Sequence, residues 1–325
     1  MSQWKPDPAV VSRAREVKRV AAERLRSYSN VIGLGVGLEE AEGRRTGKVA
    51  VIVYVSRKLP EAQLRADEIL PEEIEGVPVD VVEAEFKPDV ESGSGRSHNP
   101  LVGGISIGVS CGGISSGGYG TLGGAFFDDV TGEDVILSNW HVLLAACQGV
   151  EVNQPGTTGG GSLVARVHQA VITDRVDAAA ARLTGHRFLL PELLGLGRIS
   201  GIGTPLLGKI VRKTGATTGV TTGEIAEIDC DFDLTYDNGL TVNFRDQIFV
   251  KTLDGVIGDE GDSGSLWVDE ANRVIGLHFS HRTTGGVKVG ANANPIAAVM
   301  AALGINLEHG VRMYDFVAIN TALLH

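Results

Sequence analysis

Gly258-Asp259-Glu260-Gly261-Asp262-Ser263-Gly264-Ser265-Leu266-Trp267 decides how the rest of this chain is read. It places Ser263 in a tight glycine-bracketed turn that runs into the apolar Leu266-Trp267-Val268. Glycine tolerates positive φ where a side chain would clash, and it lets a carbonyl group approach the backbone closely. The N–H groups of Gly261 and Ser263 are therefore candidates for holding an oxyanion, and Ser263 for a nucleophile. A serine hydroxyl is a weak nucleophile alone, so a base has to come from elsewhere in the chain.

Two stretches offer partners. Residues 135–142, Val-Ile-Leu-Ser-Asn-Trp-His-Val, read as an apolar strand closing on His141, and the Leu-Leu-Ala-Ala that follows suits a short helical turn. Residues 176–183, Val-Asp-Ala-Ala-Ala-Ala-Arg-Leu, put Asp177 at the start of a small-residue strand. A carboxylate there could fix the imidazole tautomer and stabilise the imidazolium formed when Ser263 gives up its proton. The chain order is His141, Asp177, Ser263.

Gly-Asp-Ser-Gly after a loop, a histidine closing a strand and an aspartate before small residues resemble the trypsin-like, chymotrypsin-fold serine peptidases, whose triad runs in this order. The resemblance covers about residues 103–303. Within that superfamily, residues 213–219, Lys-Thr-Gly-Ala-Thr-Thr-Gly, look most like the cytoplasmic bacterial trypsin-like proteins and the plant narrow-leaf proteins. The chain departs from secreted trypsins in having Asn139-Trp140-His141-Val142 for Ala-Ala-His-Cys, and Gly264-Ser265 after the nucleophile.

The resemblance implies a mainly β fold of two six-stranded β-barrels with the site between them, and a serine endopeptidase acting on protein or peptide substrates. It puts Phe279, Ser280 and His281, with His278 beside them, on the strand lining the substrate cleft. It also puts Ile257, six residues before Ser263, at the floor of the specificity pocket, where an uncharged side chain would favour apolar substrates. Family zymogens pair a freed N-terminus with the aspartate before the nucleophile. No apolar residue follows a basic one in residues 87–100, so Asp262 is expected to find an internal partner. A non-cleaving scaffold that keeps the fold for partner binding, and an esterase with the same acyl chemistry, stay open as alternatives.

Composition agrees with this fold. With 44 glycines and 5% aromatic residues in 325, many short strands joined by tight turns are favoured over helical packing. The net charge of −11 provides no basic field, so nucleic acid is not expected as a partner. The opening residues lack the basic-then-apolar order of a secretory signal, and no apolar run is long enough to span a bilayer, so a cytoplasmic protein without membrane contact is expected. Three cysteines, Cys111, Cys147 and Cys230, leave at least one unpaired and fit reducing conditions. Their spacing makes no metal motif, and neither a metal nor a cofactor is expected.

Ahead of the peptidase-like part, residues 8–27 carry apolar side chains at helical spacing, and residues 31–38, 48–55 and 77–86 read as strands, with a short helix near 60–69. This gives a small α/β domain over residues 1–86, a Pro-, Ser- and Gly-containing linker over 87–100, the double barrel over 101–303 and a tail over 304–325. The first domain carries no chemical constellation, so regulation or assembly is its expected role, and a homo-oligomer would form through it. Gly33, Gly35 and Gly37 fall short of a dinucleotide fingerprint because a strand and a charged turn follow instead of a helix.

Overall fold

The computed structural model describes residues 6–28, 30–41, 44–60, 63–65, 68–88, 96–110, 119–143, 151–156, 161–253, 255 and 257–307. Cys111, Cys147, residues 89–95 of the expected linker and nearly all of the expected tail lie outside them. The chain is mainly β, with two barrel-like sheets and a small helix-bearing N-terminal segment.

The second sheet contains a closed ring. Ile210–Gly215, Leu266–Asp269, Arg273–Thr284, Val287–Pro295, Thr241–Thr252 and Gly219–Thr235 pair in that order, and the last pairs back onto the first from Ile210↔Glu224 to Gly215↔Gly219. Closure removes free strand edges. Inside lie Val211, Ile225, Val250, Trp267, Ile275 and Ala293, all almost wholly buried. Val287–Pro295 was not legible beforehand, because Lys288, Gly290, Asn292 and Asn294 break its β-branched pattern.

The first sheet runs Ile305–Asn306, Gly124–Asp128, Asp134–Ser138, Asp177–Leu183, Ser162–Ile172, Glu151–Gln154, Ser106–Ser110 and Tyr119–Thr121. Four alanines, Ala178 to Ala181, are wholly buried on both of its faces. Small side chains let the core close on each side of that strand, which carries Asp177 at its first position. Ile296–Leu303 is the closing helix, ended by Gly304 in the left-handed conformation.

The N-terminal elements are built onto the second sheet. Val31–Ala41 pairs antiparallel with Gly219–Thr235, then with Arg44–Val55, which pairs parallel with Val77–Glu83. The helix Pro8–Arg26, capped by the Asp7 carboxylate on the Ala9 N–H, lies over these strands. Its buried Lys18 bonds Asp231 of the ring at 2.6 Å. The alternating glycines read against a nucleotide loop serve close packing: a Cβ at Gly35 would sit 2.4 Å from the Tyr54 hydroxyl and 3.3 Å from the Cys230 sulfur. Cys230 is a buried free thiol.

Two local expectations differ from what is observed. Residues 60, 63–65, 68 and 69, the described part of the short helix expected near 60–69, form no α-helix. The strand expected over 77–86 divides at Ala84, and its second half, Glu85–Pro88, leaves the N-terminal strands to pair with Arg273–Thr284. Residues 87 and 88, read as linker, are therefore strand.

Candidate active site

His141 is delivered by the strand Asp134–Ser138 and the short helix Trp140–Leu143. Asn139, wholly buried between them, donates its side-chain amide to the Asp177 carbonyl at 2.7 Å and ties the histidine turn to the aspartate strand. The Asp177 carboxylate is wholly buried and has three donors. The His141 backbone N–H reaches Oδ1 at 3.1 Å, the Tyr236 hydroxyl reaches Oδ2 at 2.6 Å, and His141 Nδ1 bonds Oδ2 directly. Asn294 accepts the Asp177 N–H at 3.0 Å and passes its own amide to Gln247 at 2.7 Å. The pair is thus framed from both sheets.

Tyr236 also packs against the imidazole, with ring centroids 5.6 Å apart. Burial, and then the charge and hydrogen bond of Asp177, push the phenol well above its ordinary range. The protonated phenol is the donor in this bond.

Ser263 sits between Gly261 at φ 92° and Gly264 at φ 98°. A Cβ on Gly264 would lie 2.2 Å from the Thr121 carbonyl and 2.3 Å from Ser138 Oγ, so the turn closes against the first sheet only with glycine there. The Ser263 carbonyl accepts the Thr121 N–H at 2.7 Å, and Thr121 Oγ1 donates to the Gly261 carbonyl at 2.9 Å. A Cβ built on Gly120 would lie 2.6 Å from Val142, the neighbour of His141, and 2.8 Å from the Ser263 carbonyl, which fixes how closely the two halves approach. Within the turn the bonding N–H groups are those of Asp262, Gly264 and Ser265, and among the described residues those of Gly261 and Ser263 enter none of these bonds.

The structure joins His141 to Asp177 but does not join Ser263 to His141. Ser263 Oγ donates to the Phe279 carbonyl at 3.2 Å, while His141 Nε2 is buried and, among the described residues, has no hydrogen-bond partner. Ser263 is wholly buried as well.

Asp262 has its internal partner. Lys213 Nζ reaches Oδ2 at 2.8 Å, with both side chains wholly buried, and the N–H groups of Thr217 and Thr218 reach Oδ1 at 3.0 and 3.1 Å. Burial alone would raise this carboxyl; the Lys213 ammonium and the Thr218 hydroxyl outweigh it and hold it below the usual carboxylate range.

The residues expected at the pocket fare differently. Ile257 is 1% exposed and packs into the ring core, its Cδ1 directed at Gly223 next to Val250. The side chain of Phe279 lies in an aromatic core with Phe232 and Phe244, and only its carbonyl reaches the site. Ser280 accepts the Asn292 amide at 3.0 Å, and His281 is buried beside it. Among the described residues no group of His, Cys, Asp and Glu could hold a metal ion, and no helix is long and apolar enough to cross a membrane.

Two facing β-sheets, with a histidine–aspartate pair on the first and a glycine-bracketed serine on the second, make a trypsin-like architecture. In this arrangement the chain is similar to the trypsin-like serine peptidases. Among solved structures it is similar to a glutamic-acid-specific serine protease at 17% identity and a TM-score of 0.48, over 64% of this chain and all of the other. A Nocardiopsis protease matches at 20% identity and a TM-score of 0.47, and Thermobifida fusca protease A at 19% and 0.47, each over 65% of this chain and all of the other. No protein-family model matches the chain, and no curated protein does.

Sequence reasoning missed Tyr236, Asn294 and Lys213. Lys213 opens the very motif singled out for the family likeness, so a cation within a glycine- and threonine-rich turn was its signal. Tyr236 and Asn294 reach Asp177 across 59 and 117 positions, and no local pattern marks them.

Proposed function

We propose that the chain is a serine endopeptidase that cleaves protein or peptide substrates through an acyl-enzyme. Ser263 Oγ attacks the scissile carbonyl, and His141 Nε2 takes its proton and later returns it to the leaving amine. Asp177 holds the Nδ1–H tautomer and stabilises the imidazolium. The N–H groups of Gly261 and Ser263 receive the developing oxyanion, and water then releases the acyl group.

The observation that carries this reading is the bracing of the His141–Asp177 pair. A carboxylate wholly withdrawn from water and bonded to an imidazole, a phenol and a backbone N–H is costly to assemble unless its orientation matters. The buried His141 Nε2, without a hydrogen-bond partner among the described residues, is the atom a base would use. To engage it, Ser263 Oγ has to leave the Phe279 carbonyl, and catalytic hydrogen bonds are often loose before substrate binds.

A non-cleaving scaffold is the second reading, favoured by that same serine–carbonyl bond. A fluorophosphonate probe separates the two. Labelling of the wild-type chain and not of Ser263→Ala supports the peptidase; an unlabelled wild type over a range of pH and temperature supports the scaffold.

A further inference from the structure

The strand Arg273–Thr284 has two edges, and Val287–Pro295 fills one of them. Along the other, Val274 to Leu277 pair with Leu266–Asp269. Next, His278 exchanges bonds with the nucleophile turn: its N–H donates to Ser265 and its carbonyl accepts from Gly264, both at 2.9 Å. The Phe279 carbonyl then takes the Ser263 hydroxyl. Immediately beyond, Ser280, His281, Arg282 and Thr283 pair antiparallel with Pro88, Lys87, Phe86 and Glu85. The nucleophile and the segment Glu85–Pro88 therefore occupy consecutive positions of one edge, and the segment runs N-to-C toward Ser263.

We propose that Glu85–Pro88 is a built-in occupant of the edge on which an extended polypeptide would pair to reach Ser263, and that the N-terminal unit restrains the site by strand competition. The inference rests on the peptidase reading for what the edge serves. Main-chain pairing along a free strand edge recognises any extended peptide. A substrate lying with its chain direction toward the nucleophile needs the positions that this segment fills. Ser263 and Ser280 are wholly buried, and His281 is 3% exposed.

The segment is anchored and not merely laid down. Phe86 stacks on Phe232 with centroids 3.9 Å apart and planes 8° apart, and meets Tyr54 edge-on at 5.4 Å. Thr283 donates to the Glu85 carboxylate at 3.1 Å and Thr284 to the Glu83 carbonyl at 2.8 Å. Glu85 and Lys87 are exposed. Loosening the segment should expose the edge.

The test uses the full chain carrying Ser263→Ala, so that no chemistry is required, and a fluorescein-labelled synthetic peptide of residues 83–90 as probe. Two variants loosen the segment independently: Phe86→Ala removes the aromatic anchor, and Lys87→Pro removes a main-chain donor while keeping Phe86. The peptide is expected to bind each loosened chain at least tenfold more tightly than the chain with the native segment, and a peptide N-methylated at the lysine to bind at least tenfold more weakly. Equal binding to native and loosened chains, or no saturable binding to a loosened chain that retains a cooperative thermal transition, overturns the proposal. With Ser263 restored, the loosened variants should hydrolyse extended peptides with a kcat/KM at least tenfold above wild type. Binding gained without any turnover would uphold strand competition and count against the peptidase reading alone.

Discussion

Asp177 and Asp262 are both wholly buried carboxylates, and their partners differ in kind. Asp262 is closed by a fixed cation, Lys213, and by N–H and hydroxyl donors of residues 217 and 218 in the adjacent turn. Asp177 is bonded to a phenol, a backbone N–H and an imidazole. The first arrangement has its countercharge permanently in place and stabilises one shape of the nucleophile turn. On the proposed mechanism, the second leaves the countercharge to be created when His141 takes a proton.

The contrast breaks most visibly at the reacting groups. Ser263→Ala and His141→Ala are each expected to lower kcat for peptide hydrolysis by about 10⁶, with thermal stability near wild type. Losses of tenfold or less would remove either residue from the mechanism. Asp177→Asn should lose about 10⁴ by favouring the wrong tautomer. If its rate stays near wild type, the carboxylate is a structural group like Asp262.

Lys213→Met probes the other carboxylate. Stranding a buried charge typically costs about 3–5 kcal/mol, so a large fall in the denaturation midpoint is expected ahead of any specific kinetic effect. The pH dependence has a definite sign. Because the Asp262 carboxyl is held below its ordinary value, the pair's contribution is fully present above about pH 4, the unfolded aspartate value, and is lost as pH falls through the lower folded value. Wild-type stability should therefore decline in that acid range. A midpoint in Lys213→Met equal to wild type would show that the pair contributes nothing. Tyr236→Phe should have the smallest effect, because one donor to a charged acceptor is worth about 1.5–3 kcal/mol and the Nδ1 bond remains. A loss in kcat of roughly tenfold to a hundredfold is expected, with KM unchanged; an unaltered kcat would make Tyr236 a packing residue.

What the sequence revealed and what it hid follow the same physical divide. Ser263, His141 and Asp177 stand out in the sequence because each sits at an abrupt local change: a glycine turn, the end of an apolar strand, the head of an alanine run. A six-stranded barrel was implied by the family resemblance, and Val287–Pro295, whose polar positions find partners within the fold, is not marked as strand by its pattern. Residues that act at long range do not stand out. Tyr236 directly follows a 17-residue strand, and Lys213 was valued for its motif and not for its charge. Lys87-Pro88 opens the stretch read as linker, and only the register against Ser280 and His281 makes it a strand. The expected separation of the N-terminal elements failed to anticipate the pairing of Val31–Ala41 with Gly219–Thr235, since strand neighbours nearly 200 positions apart leave no trace in either segment.

The claim that Ser263, His141 and Asp177 work as one unit is tested most directly by additivity. Rates of peptide hydrolysis are measured for the wild type, for Ser263→Ala, for His141→Ala and for the chain carrying both changes together with Asp177→Asn. Groups that act as a unit are lost once, so the triple variant should fall within a few-fold of either single alanine variant. A triple variant slower than the singles by the product of the separate losses would show three independent contributions and contradict the triad.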